Sequence, residues 1–142
     1  MQCSHVQKLL LYNNVLECIP LAVSDMASLT LLDISNNLIR TLPPAMCKLN
    51  HLTQLYLRNN NMTEESFPKD MRRLVHLRDL NLSGNRLQAW PPSLLHLEGL
   101  RNLFLGGNQL KEIPPDIKVY KRLKVLYLGG NCTYSKQLTI TQ

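Results

Sequence analysis

The side chains best suited to metal binding or nucleophilic chemistry in this 142-residue chain are four histidines and four cysteines. Cys47 and His51 are four residues apart, and His76, like His51, stands just before a leucine. A structural zinc site needs four such ligands, usually in closely spaced pairs, and the sequence contains no CxxC pair. It also contains no P-loop, GxGxxG or HExxH motif. We therefore expect no metal, cofactor or small-molecule substrate, and no enzyme activity.

A second group of side chains suits protein recognition. Aromatic and arginine residues dominate the energetic hot spots of protein interfaces. Residues of these types and two aspartates recur at comparable places along the chain, and the candidate partner-binding residues are Asp33, Tyr56, Arg58, Asp79, Phe104 and Tyr127. Whether they share a surface depends on the elements that carry them.

Those elements follow from a motif of the form LxxLxLxxNxL, which occurs six times. The six copies open at Val6, Leu29, Leu52, Leu77, Leu100 and Leu123, in steps of 23, 23, 25, 23 and 23 residues. A fixed period of this size indicates a solenoid. The alternation xLxLx predicts a short strand with two core-facing leucines. The Asn in each copy is expected to satisfy backbone groups from one repeat to the next; these residues are Asn14, Asn37, Asn60, Asn85, Asn108 and Asn131.

The second half of each repeat begins at an apolar residue followed by proline. These corners are Ile19-Pro20, Leu42-Pro43, Phe67-Pro68, Trp90-Pro91 and Ile113-Pro114. A second proline follows in three of them, where it suits the first position of a helical turn. Apolar residues then recur four, seven and ten positions after the corner, which predicts a short helical or 3₁₀ segment packed behind the strands. Met71, Trp90 and Tyr120 are therefore expected in the core.

The repeats resemble the leucine-rich repeat family, in particular its intracellular class with LPxxL corners. A closer likeness is to the leucine-rich repeat-containing protein 58 family. Three segments carry it: Leu80–Asn85, Leu105–Leu110 with the Ile113-Pro114 corner, and Leu126–Asn131. The resemblance implies an α/β repeat solenoid with a parallel concave sheet of about six strands and short helical, 3₁₀ or extended convex segments. It also implies a non-enzymatic interaction protein, with adaptor roles such as substrate recognition for ubiquitin ligases common among similar proteins.

We assign residues 6–131 to the repeat array, 1–5 to a short lead, and 132–142 to a divergent tail that does not form a proper cap. Uncapped ends would expose strand edges and favour self-association. The cysteines Cys3, Cys18, Cys47 and Cys132 show no cap-like grouping, and no signal peptide or membrane-spanning stretch is visible. These features predict a cytoplasmic, intracellular protein that is not secreted.

The concave face is the predicted binding surface, because the leucines already fill the core. Phe104 and Tyr127 are expected on adjacent strands about 5 Å apart. The pairs Gly106-Gly107 and Gly129-Gly130 lack side chains and predict a shallow depression beside these aromatic rings. Scaffold or adaptor binding of a protein partner in this groove is the main functional prediction.

Two further features have alternative interpretations. A convex basic cluster could bind nucleic acid or an anionic membrane surface; it consists of Lys69, Arg72, Arg73, Lys118, Lys121, Arg122 and Lys124. Such clusters are usually solvated, so nucleic acid and membrane are the weaker alternative. The third repeat is two residues longer than the others and contains Glu64 and Glu65. This insertion is either a tolerated surface loop or an acidic lip beside the groove.

Overall fold

The structure is a computed structural model that describes residues 3–132. Within this range six three-residue strands form one parallel sheet in chain order. The strands are β1 (Lys8–Leu10), β2 (Leu31–Asp33), β3 (Gln54–Tyr56), β4 (Asp79–Asn81), β5 (Asn102–Phe104) and β6 (Val125–Tyr127). Five 3₁₀ helices of five residues connect them: η1 (Leu21–Asp25), η2 (Pro44–Lys48), η3 (Lys69–Arg73), η4 (Pro92–His96) and η5 (Pro115–Val119). The predicted repeat solenoid is confirmed.

The core is a continuous row of leucines in register. Leu9, Leu32, Leu55, Leu80, Leu103 and Leu126 pair directly from strand to strand. The four inner ones are fully buried, whereas Leu9 and Leu126 are half-buried. Burying a leucine side chain contributes about 1.5–3 kcal/mol relative to leaving it exposed, so each inner repeat is held by its two neighbours.

The proline corners set the start of each 3₁₀ helix. The residue before each helix is the corner proline, and its backbone is extended in every case. In η2, η4 and η5 a second proline occupies the first helical turn, as predicted. The first four helices bury apolar side chains against the strands, and Ile117 of η5 is partly buried. Met71, Trp90 and Tyr120 are all buried as expected.

The buried asparagines link consecutive repeats. Asn85 Nδ2 donates to the carbonyls of Leu57 and Leu82, each at 2.9 Å, and its Oδ1 accepts from Met62 N at 3.0 Å. Asn37, Asn60 and Asn108 repeat this pattern, and all four are 5% exposed. Asn131 is half-buried and still bonds to the preceding repeat. Asn14 is exposed and bonds only within its own repeat.

The residue before each of these asparagines has a left-handed backbone. Asn13, Asn36, Asn59, Gly84, Gly107 and Gly130 have φ between 54° and 74°. Glycine and asparagine adopt this conformation at the lowest cost. Gly107 and Gly130 therefore occupy a turn position that glycine or asparagine fills at low cost, so the turn itself explains their presence.

The predicted tail lies outside the described residues except for Cys132, and the predicted lead is described from Cys3 onward. Self-association through the strand edges stays a prediction. Within residues 3–132 no helix is long and apolar enough to cross a membrane.

Candidate functional site: the concave sheet face

One row of side chains crosses the concave face from strand to strand. The central residue of each strand points into the core, and the residues on either side of it point outward. Asp33 pairs in register with Tyr56 and Phe104 with Tyr127, while Asn81 connects the two pairs. The predicted adjacency of Phe104 and Tyr127 is confirmed.

A recess of about 330 Å³ opens on this face over β2 and β3. Three of the predicted partner-binding residues line it: Asp33, Tyr56 and Arg58. Four others complete it, and sequence reasoning did not single them out as binding residues: Tyr12, Ser35, Asn36 and Asn81. Tyr12 occupies the same place in its repeat as Arg58 does in the third, so the repeat register was the signal that pointed to it.

Asp79 joins Tyr56 through a chain of polar side chains. Gln54 Nε2 donates to Tyr56 Oη at 2.9 Å and to Asp79 Oδ2 at 3.3 Å. On the far side, Asn102 Nδ2 donates to Asp79 Oδ1 at 2.6 Å. Burial raises the pKa of the Tyr56 hydroxyl, and the charge of Asp79 raises it further. This network spans three strands and holds Tyr56 and Asp79 in fixed positions.

The depression predicted beside Phe104 is occupied. The ring of Tyr127 lies across Gly106 and Gly129, so a Cβ at Gly106 would overlap its Cε1 and a Cβ at Gly129 would lie 2.8 Å from its Oη. Gly106 is buried beneath this ring, whereas Tyr127 itself remains 54% exposed. The prediction of a backbone-lined depression at this end was wrong, because an aromatic side chain fills the space that the glycines leave.

The histidines and cysteines do not assemble into a metal site within residues 3–132. His51 and His76 stack with ring centroids 6.1 Å apart, and His76 Nδ1 donates to the Asn50 carbonyl at 2.9 Å. No three histidine, cysteine or acidic side chains come together in the described part. Burial raises the pKa of the Cys47 thiol, and the nearby Asp70 charge raises it further. A thiol held protonated is a poor ligand and a poor nucleophile.

The insertion in the third repeat folds against the neighbouring repeats. Ser66 Oγ donates to the Arg40 carbonyl, and the Gln88 amide donates to Glu64 Oε2 at 3.1 Å. The loop lines a lateral recess of about 440 Å³ between Arg40 and Arg86. Neither glutamate lines the concave recess. The loop is therefore docked on the surface, and its role as an acidic lip of the groove stays a prediction.

The convex basic cluster divides into two groups. Lys69, Arg72 and Arg73 lie on η3, whereas Lys118 lies on η5. The intervening η4 offers a histidine, His96, as the basic residue of its last turn. Arg72 also pairs with Asp70 at 3.6 Å on the exposed surface, where such a pair contributes little to stability.

Solved structures with the same architecture include both bacterial and plant proteins. The chain superposes on a leucine-rich repeat protein of Leptospira interrogans with a TM-score of 0.86 and 36% identity, covering 94% of this chain and 34% of that protein. The ectodomain of the Arabidopsis thaliana receptor kinase GASSHO1/SCHENGEN3, solved in complex with Casparian strip integrity factor 2, gives a TM-score of 0.79 and 31% identity. That match covers 92% of this chain and 16% of the ectodomain chain.

At the level of sequence, the chain is 44% identical over 86 residues to leucine-rich repeat-containing protein 58 of Xenopus tropicalis. This match covers 61% of the chain and 24% of the relative, so it spans about a quarter of that protein's length. The Leucine rich repeat family model matches residues 29–87 and 75–132. Together with the six-stranded parallel sheet, these matches establish that the chain belongs to the leucine-rich repeat family.

Proposed function

We propose that this chain is a protein-recognition segment that binds a protein or peptide partner on its concave sheet. The observation that carries this proposal is the recess over β2 and β3, where Asp33, Tyr56 and Arg58 converge on an exposed face. Their side chains are not part of the core, whereas the neighbouring Leu32, Leu55 and Leu57 are fully buried in it. Exposed aromatic and arginine side chains around a recess are typical of interface hot spots.

Similarity to a protein of known complex supports binding of a protein partner in general. The plant receptor ectodomain was solved with a partner bound, and leucine-rich repeats generally act as interaction modules. The matched segment spans about a quarter of the Xenopus relative's length, and the role that we propose for this chain is that of an adaptor or scaffold. The convex basic groups remain a weaker second surface, because η4 divides them.

The test is affinity capture with paired double variants. Tyr56→Ala with Arg58→Ala removes the recess side chains, and Arg72→Ala with Arg73→Ala is the convex control. We expect the concave variant to capture at least tenfold less partner than the wild-type chain, since truncating a hot-spot residue costs about 2 kcal/mol or more of binding free energy. The convex variant should capture as much partner as the wild type. Far-ultraviolet circular dichroism should be unchanged in both.

Retention of the same partners by the concave variant would contradict the proposal. Loss confined to the convex variant, together with a steep fall of binding as salt rises, would instead favour nucleic acid or anionic membrane binding by the basic groups.

A further inference from the structure

Two carboxylates flank the half-buried ring of Tyr56. Asp33 lies directly opposite it on β2. Asp79 on β4 lies diagonally across the sheet and is joined to the Tyr56 hydroxyl through Gln54. All three side chains are half-buried, so they are held in place yet reachable from the concave side.

Neither carboxylate has a cationic partner in the described part of the chain. Asp33 Oδ1 accepts from the Ser35 amide at 2.9 Å, and Asp79 accepts from Asn102 and Gln54. A carboxylate offers about four lone-pair sites, so both retain unused acceptor capacity. Within residues 3–132 the one ion pair joins Arg72 to Asp70, on the opposite face. Burial is the main cause of the raised pKa of the Tyr56 hydroxyl, and the charges of Asp79 and Asp33 raise it further.

Arg58 provides the opposite charge at a defined separation. It follows Tyr56 by two residues on the same face, with the fully buried Leu57 pointing inward between them. A strand rises about 3.3 Å per residue, so the two positions are about 7 Å apart. Arg58 is exposed and forms no ion pair within the described residues, although it lines the same recess as Asp33.

We infer that the recess, together with Asp79 just outside its lining, selects an extended peptide segment with one basic and one acidic side chain two residues apart. The basic side chain would lie over Tyr56 between Asp33 and Asp79, and the acidic one on Arg58. This inference rests on the proposed function and specifies its ligand. A basic group over Tyr56 gains cation–π and charge-assisted contacts. An acidic group on Arg58 can accept two parallel hydrogen bonds. In an extended peptide, side chains two residues apart project to the same side at about 7 Å, which matches the spacing of positions Tyr56 and Arg58 along the chain.

A nuclear magnetic resonance titration with designed peptides tests this selection. The probes are capped seven-residue Gly/Ser peptides with Lys and Glu, Glu and Lys, two Lys, two Glu or two Ser at the third and fifth positions. At low salt, one of the two mixed-charge orders should bind roughly three- to tenfold tighter than any like-charged or neutral peptide, as two partly exposed charge pairs allow. The largest changes in chemical shift should occur at Tyr56 and Arg58.

Charge-removing variants identify the groups responsible. Asp33→Asn with Asp79→Asn keeps the shape of both side chains and should abolish the preference for Lys. Asp25→Asn with Asp116→Asn removes the same charge from the convex helices η1 and η5 and should leave the preference intact. Arg58→Ala should abolish the preference for Glu.

Equal affinity for all five peptides, binding of none of them, or an unchanged preference in the Asp33 and Asp79 variant would each overturn the inference. If this occurs while partner capture is still lost in the Tyr56 and Arg58 variant, the proposed function stands and its charge selection is wrong. If that variant retains capture, the proposed function fails and this inference fails with it.

Discussion

At the scale of single residues, the repeat asparagines differ in the hydrogen bonds that they form and in how deeply those bonds are buried. Asn85 satisfies two carbonyls and one amide that the inward turn removes from water. Asn14 makes its bonds only within its own repeat and on the surface. The same residue type at the same motif position should therefore contribute very differently to stability.

Replacing each asparagine by alanine tests this difference. Asn85→Ala leaves buried carbonyl and amide groups unpartnered, and each such group costs about 1–3 kcal/mol. We expect the free energy of unfolding, measured by urea titration, to fall by roughly 2–4 kcal/mol in this variant. Asn14→Ala should lower it by less than about 0.5 kcal/mol, as for ordinary surface substitutions. Similar losses in the two variants would mean that the hydrogen bonds between repeats are not the source of the effect.

At the scale of elements, a buried hydrogen-bonded pair, Trp90 and Tyr120, connects two successive convex segments. Trp90 Nε1 donates to Tyr120 Oη at 3.1 Å, and Tyr120 Oη donates to the Leu94 carbonyl at 2.7 Å. Their rings lie 6.2 Å apart, so the corner before η4 and the end of η5 share one contact. Burial raises the pKa of Tyr120 to about 12.

This pKa makes stability depend on pH in the alkaline range. Tyrosine in an unfolded chain ionises near pH 10, whereas folded Tyr120 stays protonated up to about pH 12. Above pH 10 the unfolded state therefore binds fewer protons, and the free energy of unfolding should fall by roughly 1 kcal/mol per pH unit up to pH 12. Below pH 10 this contribution is fully present.

Urea titrations at pH 9, 10 and 11 on the wild type and on Tyr120→Phe isolate this group, because the other titrating residues are common to both. The variant should be less stable at pH 9 by about 1–3 kcal/mol, since Trp90 Nε1 loses its partner. The difference in the free energy of unfolding between the wild type and the variant should become smaller as pH rises. A constant difference would show that Tyr120 titrates as it does in the unfolded chain.

The elements of the fold were predictable from the sequence because each repeat carries the same residue types at the same positions. Strand leucines, corner prolines and the asparagine all act within one repeat or on its neighbour. The contents of the concave face were less predictable. Asp33, Tyr56 and Arg58 could be placed on it from register alone, but the position of the Tyr127 ring over Gly106 depends on side-chain packing. For that reason the expected depression at β5 and β6 was wrong, and the recess lies instead over β2 and β3.

At the scale of the whole molecule, the concave face differs in net charge from the rest of the chain. The chain carries a formal net charge of +6. Its concave positions contain two basic residues, Lys8 and Arg58, and two acidic residues, Asp33 and Asp79, so that face has no net charge. The excess positive charge therefore lies elsewhere. Long-range steering by this excess would affect encounter rates with acidic partners, whereas the concave face selects by the local arrangement of its charges.

The most direct test of concave binding is site-specific photo-crosslinking in cells. A photoreactive phenylalanine analogue is placed in turn at Phe104, on β5 within the concave row, and at Arg73, on the convex helix η3. We predict covalent partner adducts on irradiation from the Phe104 position and none above background from the Arg73 position. Adducts that form only at Arg73, or equally at both positions, would contradict the assignment of the concave sheet as the binding surface.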